Sequence, residues 1–277
     1  FEIKNNDKVQ RSNVKKSKNL STQIYFAPNV PEKPSSEWTR FVCVSDTHNT
    51  IDPNNYQVPD GDVFLHAGDM TKIGTVKQLQ DVVDWIKNLP HKHKVVIAGN
   101  HDITLDEPFY ENNWYRFHHN KEDSKRAINL MKNSGHGIVY LIEETFTIPE
   151  KGIQIWGSPW TPEFYEWAFN GQRGLFLKEK WEQIPPITHI LMTHGPPYGI
   201  LDVTNHDGKN VGCKDLLERI QNIKPYVHIF GHIHEGYGVL EKTWNSADGK
   251  KTIFINASTT TRKYRPENNT VVFDFLL

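Results

Sequence analysis

Thr39-Arg40-Phe41-Val42-Cys43-Val44-Ser45-Asp46-Thr47-His48 is the stretch on which the fold is read. Phe41 to Val44 is a short run of β-branched and other apolar residues, the composition of a buried strand. Two residues later the chain turns polar and offers a carboxylate and an imidazole. The same order recurs four times. Val63-Phe64-Leu65 leads to Gly68-Asp69, and Val95-Val96-Ile97-Ala98 leads to Gly99-Asn100-His101-Asp102. Ile190-Leu191-Met192 leads to Thr193-His194-Gly195, and Val227-His228-Ile229-Phe230 leads to Gly231-His232-Ile233-His234.

Helical spacing fills the gaps between runs. Val76, Leu79, Val82, Val83 and Ile86 fit one helix face; Ala127, Ile128 and Met131 fit a second; Leu216, Leu217 and Ile220 fit a third. Strands alternating with helices imply a largely parallel sheet, whose ligands gather beyond the carboxyl ends of its strands. Glycines 68, 99, 195 and 231 are expected to allow tight turns there by adopting backbone angles that other residues avoid. After Tyr237, further strands are expected over Gly238–Thr243, Lys251–Asn256 and Thr270–Phe275, as a second sheet packed on the first. The expected class is α/β: a two-sheet β-sandwich flanked by helices, with a metal site at the carboxyl ends of the strands.

A length of 277 residues permits a sizeable core, and a formal net charge of -1 gives no overall attraction to nucleic acid or acidic membranes. Two cysteines, Cys43 in an apolar run and Cys213 at a helix start, are too few for a disulfide framework. Reduced thiols and a cytoplasmic setting are expected. No apolar run is long enough to span a membrane, and Phe1-Glu2-Ile3-Lys4 does not read as a signal peptide. Residues 1–36 differ from the rest: Lys4, Lys8, Arg11, Lys15, Lys16 and Lys18 lie among Asn and Ser, before Pro28, Pro31 and Pro34. They read as a solvated arm, extended or partly disordered, strapped down by Ile24-Tyr25-Phe26, with 37–277 as a single domain.

The donors at the five strand ends are oxygen and imidazole, with no cysteine. That set suits two divalent or trivalent ions of the Zn, Mn or Fe type, and paired ions are machinery for splitting phosphate esters. Of 14 histidines, His91, His93, His118, His119 and His206 lie in charged, loop-like stretches and read as ordinary, while His66 and His228 read as structural. No phosphate-cradling loop ending in Gly-Lys-Ser/Thr occurs. Trp156, Trp160, Phe164, Tyr165, Trp167 and Phe169 form an aromatic cluster that would either stack on a base or serve as core and lid. Tyr198, in the stiff loop after His194, is expected to overlook the pocket.

Asp46-Thr47-His48, Gly68-Asp69, Gly99-Asn100-His101-Asp102, His194 and Gly231-His232-Ile233-His234 resemble, in this order, the signature of the calcineurin-like metallophosphoesterase family. Ser158-Pro159-Trp160-Thr161-Pro162 and His234-Glu235-Gly236-Tyr237-Gly238 extend the likeness to its metallophosphoesterase-domain-containing group, over nearly everything after residue 38. Some vertebrate members of that group have glycine where this chain keeps His232, so a complete site is implied. The resemblance implies Asp46, His48, Asp69 and His234 around a first ion and Asp69, Asn100, His194 and His232 around a second, with Asp69 as bridge and Mn favoured. Asn100 and His101 would meet the substrate phosphate, and Asp102 would accept a hydrogen bond from the His101 ring and keep it charged.

The expected function is hydrolysis of cyclic nucleotides or small phosphodiesters by in-line attack of a hydroxide shared between the ions, with His101 serving the leaving group. A phosphomonoesterase or phosphoprotein phosphatase on the same site is the alternative, and a non-catalytic scaffold the remaining one. A small, nucleotide-like partner is expected, and no long nucleic acid.

Overall fold

The structure, a computed structural model, describes residues 9–10, 22–50, 52, 56–205, 208–246 and 249–277. In chain order the strands are β1 (Val9–Gln10), β2 (Thr22–Phe26), β3 (Thr39–Val44), β4 (Val63–Ala67), β5 (His93–Ile97), β6 (Ile138–Tyr140), β7 (Glu144–Thr147) and β8 (Gln154–Ser158). They continue as β9 (Thr161–Pro162), β10 (Asn170–Gly171), β11 (Ile190–Thr193), β12 (Val227–Phe230), β13 (Gly238–Thr243), β14 (Lys251–Asn256) and β15 (Val271–Phe275). The α-helices are α1 (Val76–Lys87), α2 (Glu107–Asn113), α3 (Ser124–Lys132), α4 (Leu175–Glu182) and α5 (Lys214–Ile223).

Two sheets form the sandwich. One has six strands in the order β2-β15-β3-β4-β5-β6, the other seven in the order β1-β13-β14-β12-β11-β8-β7. Each is parallel at its centre: β3 to β6 in the first, and β8, β11, β12 and β14 in the second. Their facing sides interlock through Phe41, Cys43, Leu65 and Ile97 on one and Ile155, Met192, Ile229 and Ile255 on the other. The outer side of the six-stranded sheet, with Val42, Phe64 and Val96, takes Leu79, Val83 and Ile86 of α1 and Met131 of α3. The outer side of the seven-stranded sheet, with Leu191, Phe230 and Phe254, is covered by Leu177 and Trp181 of α4 and Leu216 and Ile220 of α5. The three helices read from spacing are α1, α3 and α5. Cys213 caps α5, its Sγ accepting from Leu216 N.

The five motif-bearing strands do not share one sheet. β3, β4 and β5 belong to the six-stranded sheet, β11 and β12 to the seven-stranded one. Nor do the last strands form a sheet of their own. β13 and β14 extend the seven-stranded sheet, while β15 inserts antiparallel between β2 and β3. The physical reason is that every central strand is buried on both faces, so its apolar run carries no mark of which sheet it joins. One polar pair does mark β15: Arg40 grips Asp274, its register partner, through two 2.8 Å hydrogen bonds.

Part of the stretch expected as an arm lies on the sheet, at the strap of Ile24-Tyr25-Phe26. Thr22–Phe26 is an edge strand of the six-stranded sheet, paired along its length with β15. Lys4, Lys8, Arg11, Lys15, Lys16 and Lys18 lie outside the described residues, as does His206. Among the described residues, no helix is long and apolar enough to cross a membrane.

Candidate metal centre

The loops after β3, β4, β5, β11 and β12 meet at one end of the sandwich. Sharp backbone turns aim their side chains. Asp46 (φ 53°), His48 (φ 45°), Asp69 (φ 52°) and His232 (φ 66°) all sit in the left-handed region. Such residues cost about 1–3 kcal/mol each and persist only where surrounding contacts over-determine them. Those contacts are present: Asp46 N donates to Gly68 O at 2.9 Å, His48 N to Asp69 O at 3.1 Å, and Gly231 N to His194 O at 2.9 Å. Gly68 has the positive φ expected of a turn glycine (96°), but Gly99 and Gly231 do not. Their requirement is space, because a Cβ at Gly99 would overlap Asp69 Oδ1 and one at Gly231 would overlap Asp46 Oδ2.

Three groups of candidate ligand atoms result: Asp46, His48 and His234; Asp69, His194 and His232; and His48, Asp69 and His101. His234 Nε2 stands 3.4 Å from Asp46 Oδ1, His194 Nε2 3.4 Å from Asp69 Oδ2, and His48 Nε2 3.8 Å from Asp69 Oδ2. Asn100 Oδ1 lies 3.0 Å from His194 Nε2. Asp69 therefore stands where the groups overlap.

The outer ring nitrogens have partners of their own. His48 Nδ1 lies 3.1 Å from Thr71 O, His194 Nδ1 3.0 Å from Ala67 O and His234 Nδ1 3.1 Å from Thr261 O. A carbonyl only accepts, so each Nδ1 carries the proton and each Nε2 keeps a lone pair when the ring is neutral. All three Nε2 atoms point at carboxylates. His48 Nε2 is also buried without a hydrogen-bond partner. An imidazole held from behind by a carbonyl, its other nitrogen stranded among acids, is the arrangement of a metal ligand. The residues present fit a metal.

The electrostatics agree. Burial works against charge on His194, yet Asp69 and Asp46 outweigh it and push the ring up to about 9. The same contest leaves His234, beside Asp46, at about 8. Burial holds His48 down to about 4 and His232 to about 3. Despite their own burial, Asp69 and Asp46 stay below the usual carboxylate range through these histidines. The imidazolium–carboxylate pairs thus do in part what a cation would do.

The family model for calcineurin-like phosphoesterases matches residues 39–236. The chain belongs to the calcineurin-like phosphoesterase family. Metallophosphoesterase domain-containing protein 1 of Homo sapiens is 42% identical over 256 residues, 89% of this chain and 74% of the relative. A Caenorhabditis elegans protein is 36% identical over 242 residues, covering 86% of this chain and 81% of its own. A solved structure covering 80% of this chain and 91% of its own superposes with a TM-score of 0.54 at 16% identity, a likeness of fold alone. Membership supports a metal-dependent phosphoesterase and leaves the ester open.

The structure brings together all seven residues expected as ligands, Asn100 by its contact with His194. Asp102 differs from expectation. Its carboxylate accepts from Gly99 N (2.9 Å), Met70 N (3.2 Å), Thr71 N (2.9 Å) and Thr71 Oγ1 (2.7 Å), stapling the loop after β4 to the loop after β5. The His101 ring turns away from it and places Nδ1 2.8 Å from Lys72 O, while His101 N donates to Asp69 Oδ1. Four backbone and hydroxyl donors saturate Asp102, and its buried carboxyl is pushed up to about 6, first by burial and then by Asp69. Tyr198 is half-buried beneath Lys214, whose Nζ lies 4.8 Å from its ring centre.

Two aromatic rings border the histidines of the centre. The Tyr264 ring stands edge-on to His48 at 4.9 Å, 5.7 Å from His234 and 6.3 Å from His101. Trp167 lies against His101 at 4.2 Å. Of the aromatic cluster, Trp156 and Phe169 are core, while Phe164 and Tyr165 are exposed. Ser258 Oγ donates to Asp46 Oδ2, and Thr260 Oγ1 to Asp46 O, both at 2.8 Å. The signal for these was available: Ala257-Ser258-Thr259-Thr260 is a polar run directly after an apolar strand, a sixth instance of the pattern at Asp46.

Proposed function

We propose that this chain is a two-metal phosphodiesterase for small phosphodiesters, cyclic nucleotides foremost, and that it works in the cytoplasm with Mn as the favoured metal. The observation that carries the reading is the convergence of carbonyl-anchored imidazoles on two carboxylates. Asp46, His48, Asp69 and His234 would hold one ion, and Asp69, Asn100, His194 and His232 the other. Two ions there supply Lewis-acid charge and an activated water to a phosphate ester. Carboxylate, amide and imidazole donors without thiolate suit Mn. Cys43 and Cys213 are buried free thiols, compatible with a reducing compartment.

The protein's own groups do the rest. The Lys72 carbonyl holds the His101 ring by Nδ1, so Nε2 is the atom that carries or delivers a proton. Asn100 and His101 would orient the phosphate. Trp167 lies against His101 and Tyr264 borders His48 edge-on, and aromatic rings so placed favour a planar group on the ester, a base included.

His101→Ala tests the role of that ring. The variant should keep its metals and lose roughly 10²–10⁴-fold in turnover on a cyclic nucleotide, whose leaving alkoxide needs a proton. The loss should be smaller on an aryl phosphodiester. Equal, near-wild-type rates on both would remove His101 from the chemistry. Faster turnover of a phosphomonoester or phosphopeptide than of any diester would replace the diesterase reading with a monoesterase one.

A further inference from the structure

One arrangement occurs twice behind the candidate metal centre. His66 on β4 and His228 on β12 are both fully buried. His66 Nε2 lies 2.8 Å from Thr47 Oγ1, and His228 Nε2 lies 2.8 Å from Thr193 Oγ1. Each threonine directly precedes a candidate ligand, His48 or His194. Each histidine comes from the parallel strand next door, β4 beside β3 and β12 beside β11.

Outside partners fix the direction of both contacts. Thr193 Oγ1 donates its proton to Gly195 O at 2.7 Å, and Thr47 Oγ1 donates to Met70 O at 3.3 Å. The threonine protons are therefore used, and each ring must donate from Nε2. At His66 this agrees with the other nitrogen, since Gly68 N–H donates to Nδ1 at 3.3 Å. At His228 the other nitrogen is buried with no partner. A stranded buried acceptor costs about 1–3 kcal/mol. A leucine would pack against Phe230 and Phe254 without that cost. The threonine hydroxyl is what the imidazole at 228 serves.

We propose that His66 and His228 are positioning residues, each locking the threonine that sets the rotation of the next residue, His48 or His194, toward the metal. The proposal rests on the two-metal reading, and one of its readouts needs no metal. Thr193→Val keeps the volume and removes the hydroxyl; Thr193→Ser restores it. In the metal-free protein, ring ¹⁵N resonances report the protonated nitrogen of each histidine. Thr193→Val should shift the resonances of His194 Nδ1 and its proton, which face Ala67 O at 3.0 Å, and leave those of His48 unchanged. Thr193→Ser should match wild type. In Mn²⁺ titrations, Thr193→Val should weaken one site about 10-fold, the lower end of what outer-shell partners contribute, and leave the other intact. Thr47→Val should do the converse at His48. His228→Gln, which retains a donor, should bind more tightly than His228→Leu.

A wild-type protein that took up fewer than two ions would fail the two-metal reading, and the ¹⁵N comparison would still decide the positioning roles. Unchanged His194 resonances and unchanged Mn²⁺ affinity in folded Thr193→Val would overturn the proposal. So would an equal loss at both sites that tracks a drop in Tm and is not relieved in Thr193→Ser.

Discussion

The two sheets bring different chemistry to their shared end. The six-stranded sheet supplies both carboxylates, Asp46 and Asp69, together with His48, Asn100 and His101. The seven-stranded sheet supplies three imidazoles, His194, His232 and His234, and no acid to the candidate groups. His48, Asp69 and His101 meet on the six-stranded wall alone, but the other two candidate groups, Asp46 with His48 and His234 and Asp69 with His194 and His232, each need both walls. Charge is balanced across the gap, in the 3.4 Å pairs His234–Asp46 and His194–Asp69. The centre is therefore a product of sandwich packing rather than of any one loop, and protons and metal ions compete for the same acids.

Removing the shared acid should break this balance most severely. Asp69→Asn keeps the shape and removes the charge common to two of the candidate groups. Metal affinity should fall at both sites by more than about 100-fold, beyond the range of outer-shell changes. Asp46→Asn should fall chiefly on the site of His48 and His234. A loss confined to one site in Asp69→Asn would show that the two walls do not share an acid.

The competition with protons sets the pH dependence. His194 and His234 are raised, from the ordinary 6.5 to about 9 and about 8 in the folded protein. A group raised on folding stabilises fully below its unfolded value and loses that contribution as pH climbs through its folded one. Metal-free protein should thus lose thermal stability between about pH 6.5 and 9. Metal binding must expel these protons, so affinity should rise up to about tenfold per pH unit for each proton released, then level off above pH 9. Flat affinity from pH 6.5 to 9 would show that the cross-sheet pairs are not protonated.

How far these walls could be read from sequence depends on what each signal encodes. The strand ends were legible because an apolar run followed at once by Asp, Asn or His is a strong local contrast. Their division between two sheets was not, because Val42 and Phe41, on opposite faces of β3, are equally buried. His101 was found by its motif, but the partner of its ring was not. Adjacency in sequence suggested Asp102, whereas the carboxylate turned into the loops to satisfy backbone donors. Tyr264 was missed because it is one exposed aromatic in the polar stretch Thr261-Arg262-Lys263-Tyr264-Arg265, and only the fold returns that loop to His48.

That late arrival offers the mildest test of the comparison. Tyr264 lies outside both walls and touches their histidines by ring edge alone. Tyr264→Ala should leave metal content and kcat for a small alkyl diester unchanged. It should raise KM for nucleotide or aryl esters by about tenfold, within the 1–3 kcal/mol typical of base–aromatic stacking. An equal effect on alkyl and aryl esters would make the residue a support for the histidines rather than a wall for the substrate.

Counting ions tests the joint site most directly. Metal-stripped protein titrated with Mn²⁺ to saturation should bind two ions per chain, and His232→Gly, which removes one imidazole of the seven-stranded wall, should hold one of them markedly less tightly while remaining folded. Two equally tight ions in His232→Gly, or none in the wild type at pH 8, would contradict the claim that acids from one sheet and imidazoles from the other hold a paired metal centre.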